Sequence, residues 1–98
     1  MTRRISYSQE AESDLREITT YTQHTWGDEQ AREYLDALSA DIAALSEGAM
    51  RHRRFDYILP DLRRVVSGHH FVFYLANADR VSIVRVLHER RDFASQFG

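Results

Sequence analysis

The stretch that decides the fold is VSIVRVLHERRD, from Val81 to Asp92. Its first seven residues are mostly β-branched or aliphatic, a composition that favours a packed β-strand. Arg85 interrupts this run. Because removing a guanidinium from water is costly unless it is paired, we expect Arg85 to face a carboxylate, a partner or a phosphate, and we hypothesise a pairing across the sheet. The alternative is that Arg85 lies on a solvent-facing side of an antiparallel sheet.

Two more strands precede this one. Residues 62–67 form one strand and residues 69–77 (HHFVFYLAN) the next, with a tight turn at Ser67-Gly68 between them. Three sequential strands joined by short turns indicate an antiparallel meander. Alternation makes both faces of this sheet apolar, with these expected groupings: Phe71, Phe73 and Leu75 opposite Val72, Tyr74 and Ala76, and Ile83 and Leu87 opposite Val84 and Val86.

Since a helical layer can cover only one face of the sheet, the second face is predicted to be a binding surface for a partner. Phe93 and Phe97 in the C-terminal tail are expected to cover part of it. Residues 48–61 (GAMRHRRFDYILPD) lack a regular period and include the most basic stretch of the chain, Arg51 to Arg54. This segment is expected to be an ordered loop that Phe55, Tyr57, Ile58 and Leu59 tie to the core, or alternatively a solvated basic turn.

The first half of the chain predicts a short strand followed by two helices. Residues 3–7 are the candidate strand, and Ser8 is the expected N-cap of the first helix. Ala11, Leu15, Ile18 and Thr22 then form one apolar stripe of that helix, which ends near Trp26-Gly27. Asp28 is the expected N-cap of a second helix that reaches Glu47-Gly48. The pair should form an antiparallel hairpin with Trp26 buried between its helices.

The composition and charge of the chain limit its possible functions. The 98 residues predict one α+β domain, 1–98, of β-α-α-β-β-β order with the hairpin packed on an antiparallel sheet. The chain has no cysteine and no membrane-length apolar stretch, so a cytoplasmic protein without membrane partners is expected. Residues 1–49 hold four arginines and ten acidic residues, whereas residues 50–98 hold nine arginines and five acidic residues. This division predicts one basic region that binds an acidic partner, either a protein or a nucleic acid.

Few motifs point to catalysis. No nucleotide-binding loop, nucleophile elbow or calcium-loop spacing is present. His69 and His70 are adjacent on a predicted strand, so their rings should point to opposite faces, and no metal site or cofactor is expected. Metal-free RNA cleavage needs a base, an acid and cations around the phosphate. The residue types for it are supplied by Arg63, Arg64, Tyr74, Arg85, His88 and Glu89.

Four segments of the chain carry a resemblance to a known family. They are SQEAESDLREITTYT, WGDEQAREYL, LPDLRRVVSGHHFVFY and IVRVLHERRD, which cover nearly the whole chain in the family's order and spacing. Together they resemble the ParE branch of the RelE/ParE toxin superfamily, the toxin half of bacterial toxin–antitoxin pairs. The resemblance implies the same β-α-α-β-β-β fold and a ParD-like antitoxin whose C-terminal segment wraps across the toxin's sheet and helices.

The resemblance also implies a target. ParE-like members poison DNA gyrase, whereas RelE-like members cut mRNA on the ribosome and typically carry lysines and a C-terminal tyrosine or histidine. This chain has no lysine, and its tail FASQFG offers neither residue. We therefore expect a non-catalytic gyrase inhibitor without direct sequence-specific nucleic-acid binding. The expected antitoxin- or target-binding residues are Arg53, Arg54, Arg63, Arg64, Tyr74, Arg85, His88, Arg90, Arg91 and Phe93.

Two alternatives stay open at this point. If the chain is a ribosome-dependent endoribonuclease, Arg63 and Arg85 would hold phosphate and His88 would transfer protons. The chain could also be a member that has lost toxicity and only binds the antitoxin. The sequence does not separate this binding module from an active toxin.

Overall fold

Four strands and two long helices make up the part of the chain that the computed structural model describes, which is residues 2–91, 96 and 97. Their bounds are β1 Arg4–Tyr7, α1 Gln9–Trp26, α2 Asp28–Ala43, β2 Arg63–Ser67, β3 His70–Ala76 and β4 Arg80–His88. A short helix, α3 Leu45–Gly48, and a 3-10 turn, Ala49–Arg51, follow α2. This order confirms the predicted β-α-α-β-β-β fold.

The strands lie in the order β1-β4-β3-β2. β2, β3 and β4 pair antiparallel and confirm the predicted meander. β1 instead lies parallel to β4, with Ile5 opposite Val81, so the complete sheet is mixed and not antiparallel throughout. A parallel pair needs a long connection between its strands, and here the helical hairpin and the rest of the meander supply it.

β4 carries one residue more than the strand opposite it. Phe73 pairs with Arg85 and Tyr74 pairs with Ile83, which leaves Val84 without a position in the ladder. Such a bulge reverses the inward and outward alternation beyond it. Ile83 therefore lies in the helix-side core while Leu87 lies on the opposite face. The prediction that these two residues share a face is wrong because it assumed an uninterrupted two-residue period.

Local capping sets the helix boundaries. The Ser8 side-chain oxygen accepts a hydrogen bond from the Ala11 N–H at 3.0 Å, which confirms Ser8 as the N-cap of α1. Gly27 has φ +88°, a conformation that favours glycine, and it separates the two helices. Asp28 is consequently the first residue of α2. The prediction that Asp28 is the N-cap of this helix is wrong, because Gly27 occupies that position. Within the described part of the chain, every helix is too short or too polar to cross a membrane.

The main core lies between the helices and the sheet. Its buried side chains come from α1, α2, α3, the 3-10 turn and the strand positions that face these helices: Ala11, Ile18, Leu38, Ile42, Leu45, Ala49, Val72, Tyr74, Val81, Ile83 and Val86. Trp26 is not part of it, because 62% of this residue is exposed. The prediction of Trp26 as a buried anchor is wrong, since Trp26 is the last residue of α1 and lies at the exposed connection between the two helices.

A second apolar cluster occupies the other face of the sheet. Leu62, Phe73 and Leu87 are buried there, and Ile58, Leu59 and Phe97 pack against them. The loop between α3 and β2 is thus ordered, and together with Phe97 it closes much of the face that the sequence left without cover. Phe55, Ile58 and Leu59 have the predicted core role, whereas Tyr57 is 73% exposed. Phe93 lies outside the described residues.

Candidate functional site

Three histidines, His69, His70 and His88, meet at one end of the sheet and are called here the histidine cluster. His70 lies opposite His88 in the β3–β4 ladder, with ring centroids 5.4 Å apart. The His69 ring stacks on His88 with centroids 6.3 Å apart and planes at 21°. The prediction that His69 and His70 point to opposite faces is wrong, because β3 begins only at His70 and His69 belongs to the preceding turn.

Tyr34 on α2 holds this cluster in place. Its hydroxyl shares a hydrogen bond of 2.5 Å with Nδ1 of His70 and accepts the backbone N–H of His69 at 2.9 Å. The Tyr34 ring also packs directly against Gly68, where a Cβ atom would lie only 2.7 Å from ring atoms. One helix side chain therefore determines the position of the β2–β3 turn and of both histidines that follow it.

The electrostatics of the cluster favour a neutral His70. Burial, together with the neighbouring His88 and His69, lowers the pKa of His70 from 6.5 to about 4. Burial raises the pKa of Tyr34, which keeps its hydroxyl protonated. His69 lies 3.3 Å from a carboxylate oxygen of Glu89 at the exposed side.

The histidine cluster forms one wall of an open pocket of about 530 Å³, called here the aromatic pocket. The other wall comes from the end of α1 and the start of α2: Tyr21, Thr22, Trp26, Gln30, Glu33 and Tyr34. Tyr21 and Trp26 are 66% and 62% exposed, although both are large and largely apolar. Exposed rings that converge on one cavity are typical of a binding site.

Arg85 forms a two-pronged ion pair with Asp14 on α1. Its Nε donates to Oδ2 at 2.8 Å and its Nη2 donates to Oδ1 at 2.9 Å, and the two side chains are only 16% and 8% exposed. The Asp14 Oδ2 also accepts the backbone N–H of Val86, beyond the point where β1 ends. These hydrogen bonds raise the pKa of Arg85. Pairing of Arg85 with a carboxylate is confirmed, and the partner lies on a helix and not across the sheet.

Arg63 and Arg64 are engaged by the fold. Arg63 donates to the carbonyl oxygen of His52 at 2.5 Å. The Arg64 guanidinium stacks on two rings, 4.0 Å from the centroid of Phe71 and 4.4 Å from that of Phe55. Burial lowers the pKa of Arg64. Both arginines therefore pin the loop between α3 and β2 against the sheet.

The three residues of the endoribonuclease alternative are not brought together. In the ladder, Arg63 pairs with Tyr74, whereas His88 pairs with His70 at the other end of β3. Four residues of strand separate these positions, which is on the order of 13 Å at the usual rise per residue. Arg85 is turned to Asp14 on α1. A phosphate held by Arg63 and Arg85 would not lie beside His88.

Tyr74 also differs from its expected role as a contact residue. It is fully buried in the main core, and its hydroxyl donates to the carbonyl oxygen of Ala49 at 2.6 Å. Burial raises its pKa to about 12. Because no part of this side chain reaches the surface, Tyr74 supports the fold and is not available to a partner.

The exposed arginines of the predicted binding set lie at two places. Arg53 and Arg54 are on the loop before β2, where Arg54 forms ion pairs with Asp56 and Asp61. Arg90 and Arg91 follow β4 and are exposed, as is His88. We call Arg53, Arg54, Arg90 and Arg91 the arginine surface. Phe93, the last residue of the predicted binding set, is not among the described residues.

Sequence reasoning missed Asp14, Tyr34 and the pocket walls. Asp14 lies three residues after Ala11, on the same helix face as the apolar stripe. A carboxylate within a buried stripe needs a cationic partner, so the sequence did contain a signal that Asp14 could pair with Arg85. Nothing local marked Tyr34 as a partner of His70, since the two are far apart in sequence. Among the described residues, no group of three or more histidine or acidic side chains is arranged to hold a metal ion.

The chain is similar to known proteins in both sequence and structure. Residues 5–93 match the family model described as the ParE toxin of the type II toxin–antitoxin system parDE. A relative named Toxin ParE from Escherichia coli is 39% identical over 89% of this chain and 85% of its own length. In structure, the chain is similar to one from the chromosomal ParDE system of P. aeruginosa (TM-score 0.76, 15% identity, covering 89% of this chain and 96% of that one). It is also similar to a chain of the E. coli DinJ-YafQ complex (TM-score 0.59, 15% identity, full coverage of both).

Proposed function

Because this chain belongs to the ParE toxin family of type II toxin–antitoxin systems, we propose that it inhibits DNA gyrase and that a ParD-like antitoxin neutralises it. The match over residues 5–93 is the observation that carries this proposal. Inhibition of this kind requires a binding surface and no catalytic residue of the toxin. The antitoxin would keep the toxin inactive by mass action, and loss of the antitoxin would release it.

The placement of the candidate catalytic residues supports a non-enzymatic mode of action. Arg85 is committed to Asp14 and Arg63 to the carbonyl of His52, whereas His88 stands at the other end of the ladder. General acid–base catalysis on RNA needs such groups around one phosphate. The likeness to a chain of the DinJ-YafQ complex, at 15% identity, concerns the fold and does not favour an RNA-cleaving activity.

The antitoxin is proposed to bind the arginine surface. Arg53, Arg54, Arg90 and Arg91 are exposed, and they belong to the half of the chain that carries nine arginines against five acidic residues. An acidic antitoxin tail that folds on binding would match this charge. Arg63, Arg64 and Arg85 are proposed to act indirectly by holding the loop and strand on which this surface is built, while His88 lies exposed at its edge.

The test uses purified toxin free of antitoxin in two parallel assays. One assay follows gyrase supercoiling and the accumulation of cleaved DNA, and the other follows mRNA cutting on translating ribosomes. We expect gyrase inhibition and intact mRNA. Cleaved mRNA with unaffected gyrase would reject the proposal and make the toxin an endoribonuclease. Inactivity in both assays, with antitoxin binding retained, would reject it in favour of a binding-only module.

A further inference from the structure

The aromatic pocket lies outside the Arg85–Asp14 ion pair and the main core. One wall exposes the rings of Tyr21 and Trp26 at the end of α1, while the histidine cluster closes the other side. Single exposed aromatic side chains are common on protein surfaces, but several that face one cavity leave an apolar area without cover. The pocket therefore has the features of a place for an inserted side chain.

The charge around the pocket limits which kind of chemical group can bind in it. Glu33 lines the pocket directly, and Glu89 lies beside His69 at its edge. The two helices that form the outer wall, residues 9–43, hold nine acidic residues and only two arginines. Inside the pocket, the lowered pKa of His70 leaves its imidazole uncharged near neutral pH. An anionic group such as a phosphate would enter a region of like charge, whereas a cation would be attracted.

The chemistry of the walls agrees with the charge. Arginine and lysine side chains are attracted to the faces of tryptophan and tyrosine rings, most strongly to tryptophan. The pocket offers Trp26 and Tyr21 as such rings, with the Glu33 carboxylate to pair with the charge. A nucleobase could stack on the same rings, but its phosphates would then face the acidic helices. The combination of rings and carboxylates favours a cationic side chain over a nucleotide.

We propose that the aromatic pocket receives an arginine or lysine side chain from the protein that this toxin inhibits. This assignment of the occupant rests on the proposed function, because an enzyme that binds DNA presents basic surfaces to the phosphate backbone. The antitoxin is expected to be acidic and to bind the arginine surface. The toxin would then carry two contact regions of opposite charge that adjoin at His88, one for neutralisation and one for its target.

The first test follows Trp26 directly. Trp26 is the sole tryptophan of the chain and lines the pocket, so its fluorescence reports occupancy without a label. The probes are a short arginine-rich peptide, an acidic peptide of equal length and a mononucleotide. We expect a saturable change with the arginine-rich peptide that is lost in Glu33→Gln at matched concentration. A change caused by the nucleotide or the acidic peptide, or no change with any probe, would overturn the proposed chemistry.

The second test compares target and antitoxin. Trp26→Leu should weaken gyrase binding by about 5- to 30-fold, the range that a cation–π contact supplies. Trp26→Phe, which keeps a ring, should retain most of it, and antitoxin affinity should be unchanged in both variants. Tyr57→Leu is the matched control, because Tyr57 is also a largely exposed aromatic residue but lies on the loop that covers the opposite face. Loss of antitoxin affinity in Trp26→Leu with unchanged gyrase binding would overturn the assigned occupant.

The two tests separate the inference from the proposed function. If the unmodified toxin does not bind gyrase, the proposed function and the assigned target fail together, but the fluorescence titration still decides whether the pocket takes a cation. If the toxin inhibits gyrase and Trp26→Leu binds it with full affinity, only the pocket assignment fails. Circular dichroism on each variant verifies that the exposed substitutions leave the fold intact.

Discussion

At the scale of single residues, the buried pair of Arg85 and Asp14 shows how a charge can lie inside a strand. Removing either charge from water is costly, and two short hydrogen bonds between them offset that cost. The same carboxylate satisfies the Val86 N–H, which has no β1 residue beside it. Ser8 acts in a similar way, because its hydroxyl donates to the Val84 carbonyl at the bulge. Side chains from α1 therefore complete the edge of β4.

Replacing Arg85 by leucine tests this pair. Arg85→Leu leaves the Asp14 carboxylate buried without its cation, a change that typically costs about 3–5 kcal/mol. We expect a lower free energy of unfolding by urea denaturation. Arg90→Leu, at an exposed arginine after β4, is the control and should stay within about 0.5 kcal/mol of the unmodified chain. Equal stability of the two variants would contradict a structural role for the pair.

His70 should make stability depend on pH. Its pKa is lowered to about 4 in the folded protein, so the unfolded chain takes up a proton at higher pH than the folded one. Stability is therefore lost progressively as the pH falls from about 6.5 to about 4, and no further loss from this group follows below that. His70→Gln should flatten this part of the profile in urea denaturation relative to the unmodified chain. An unchanged profile in His70→Gln would refute the assignment.

At the scale of elements, the β2–β3 turn is fixed by the helix packed above it. The Ser67 hydroxyl donates to Asp41 on α2 at 2.6 Å, and the Tyr34 hydroxyl bonds both His69 and His70. Gly68 lies between these contacts with φ +57°. The turn that carries two members of the histidine cluster is thus positioned by α2 and not by the strands alone.

Gly68→Ala tests how tightly this turn is held. The new Cβ would meet the Tyr34 ring at 2.7 Å in a backbone conformation that L-residues rarely adopt. We expect a loss of about 1–3 kcal/mol in the free energy of unfolding. Gly48→Ala is the control, since the nearest atom there is 4.0 Å away and φ is negative. If Gly68→Ala were as stable as Gly48→Ala, the close contact with Tyr34 would be disproved.

At the scale of the whole molecule, the chain separates its charge into two regions. The helices on one side of the sheet are mostly acidic, whereas the arginine surface follows β4 and precedes β2. Opposite potentials on two surfaces allow two partners of opposite charge to be distinguished. For the proposed antitoxin this separation should appear as a salt-dependent association, because exposed charges are screened over about 10 Å at moderate ionic strength.

We expect the affinity for the antitoxin to fall as salt is added and the double variant Arg90→Glu, Arg91→Glu to bind more weakly, mainly through slower association. The measurement is the association rate at several salt concentrations. The control reverses two exposed arginines of the acidic half, Arg16→Glu and Arg32→Glu, and should leave the rate nearly unchanged. Equal effects of both double variants would show that overall charge, and not the arginine surface, governs binding.

The sequence by itself determined the elements, the helix-facing residues of β3, the need of Arg85 for a partner, and the family resemblance that the comparisons bear out. These features depend on local periodicity, on capping, or on the chemistry of one side chain. Only the tertiary structure decided the bulge at Val84, the identity of Asp14 as the partner, and the exposure of Trp26. Each of these features depends on which distant segments of the chain come into contact. A local sequence pattern can indicate that a residue is buried or paired, but it does not identify the residues that it contacts.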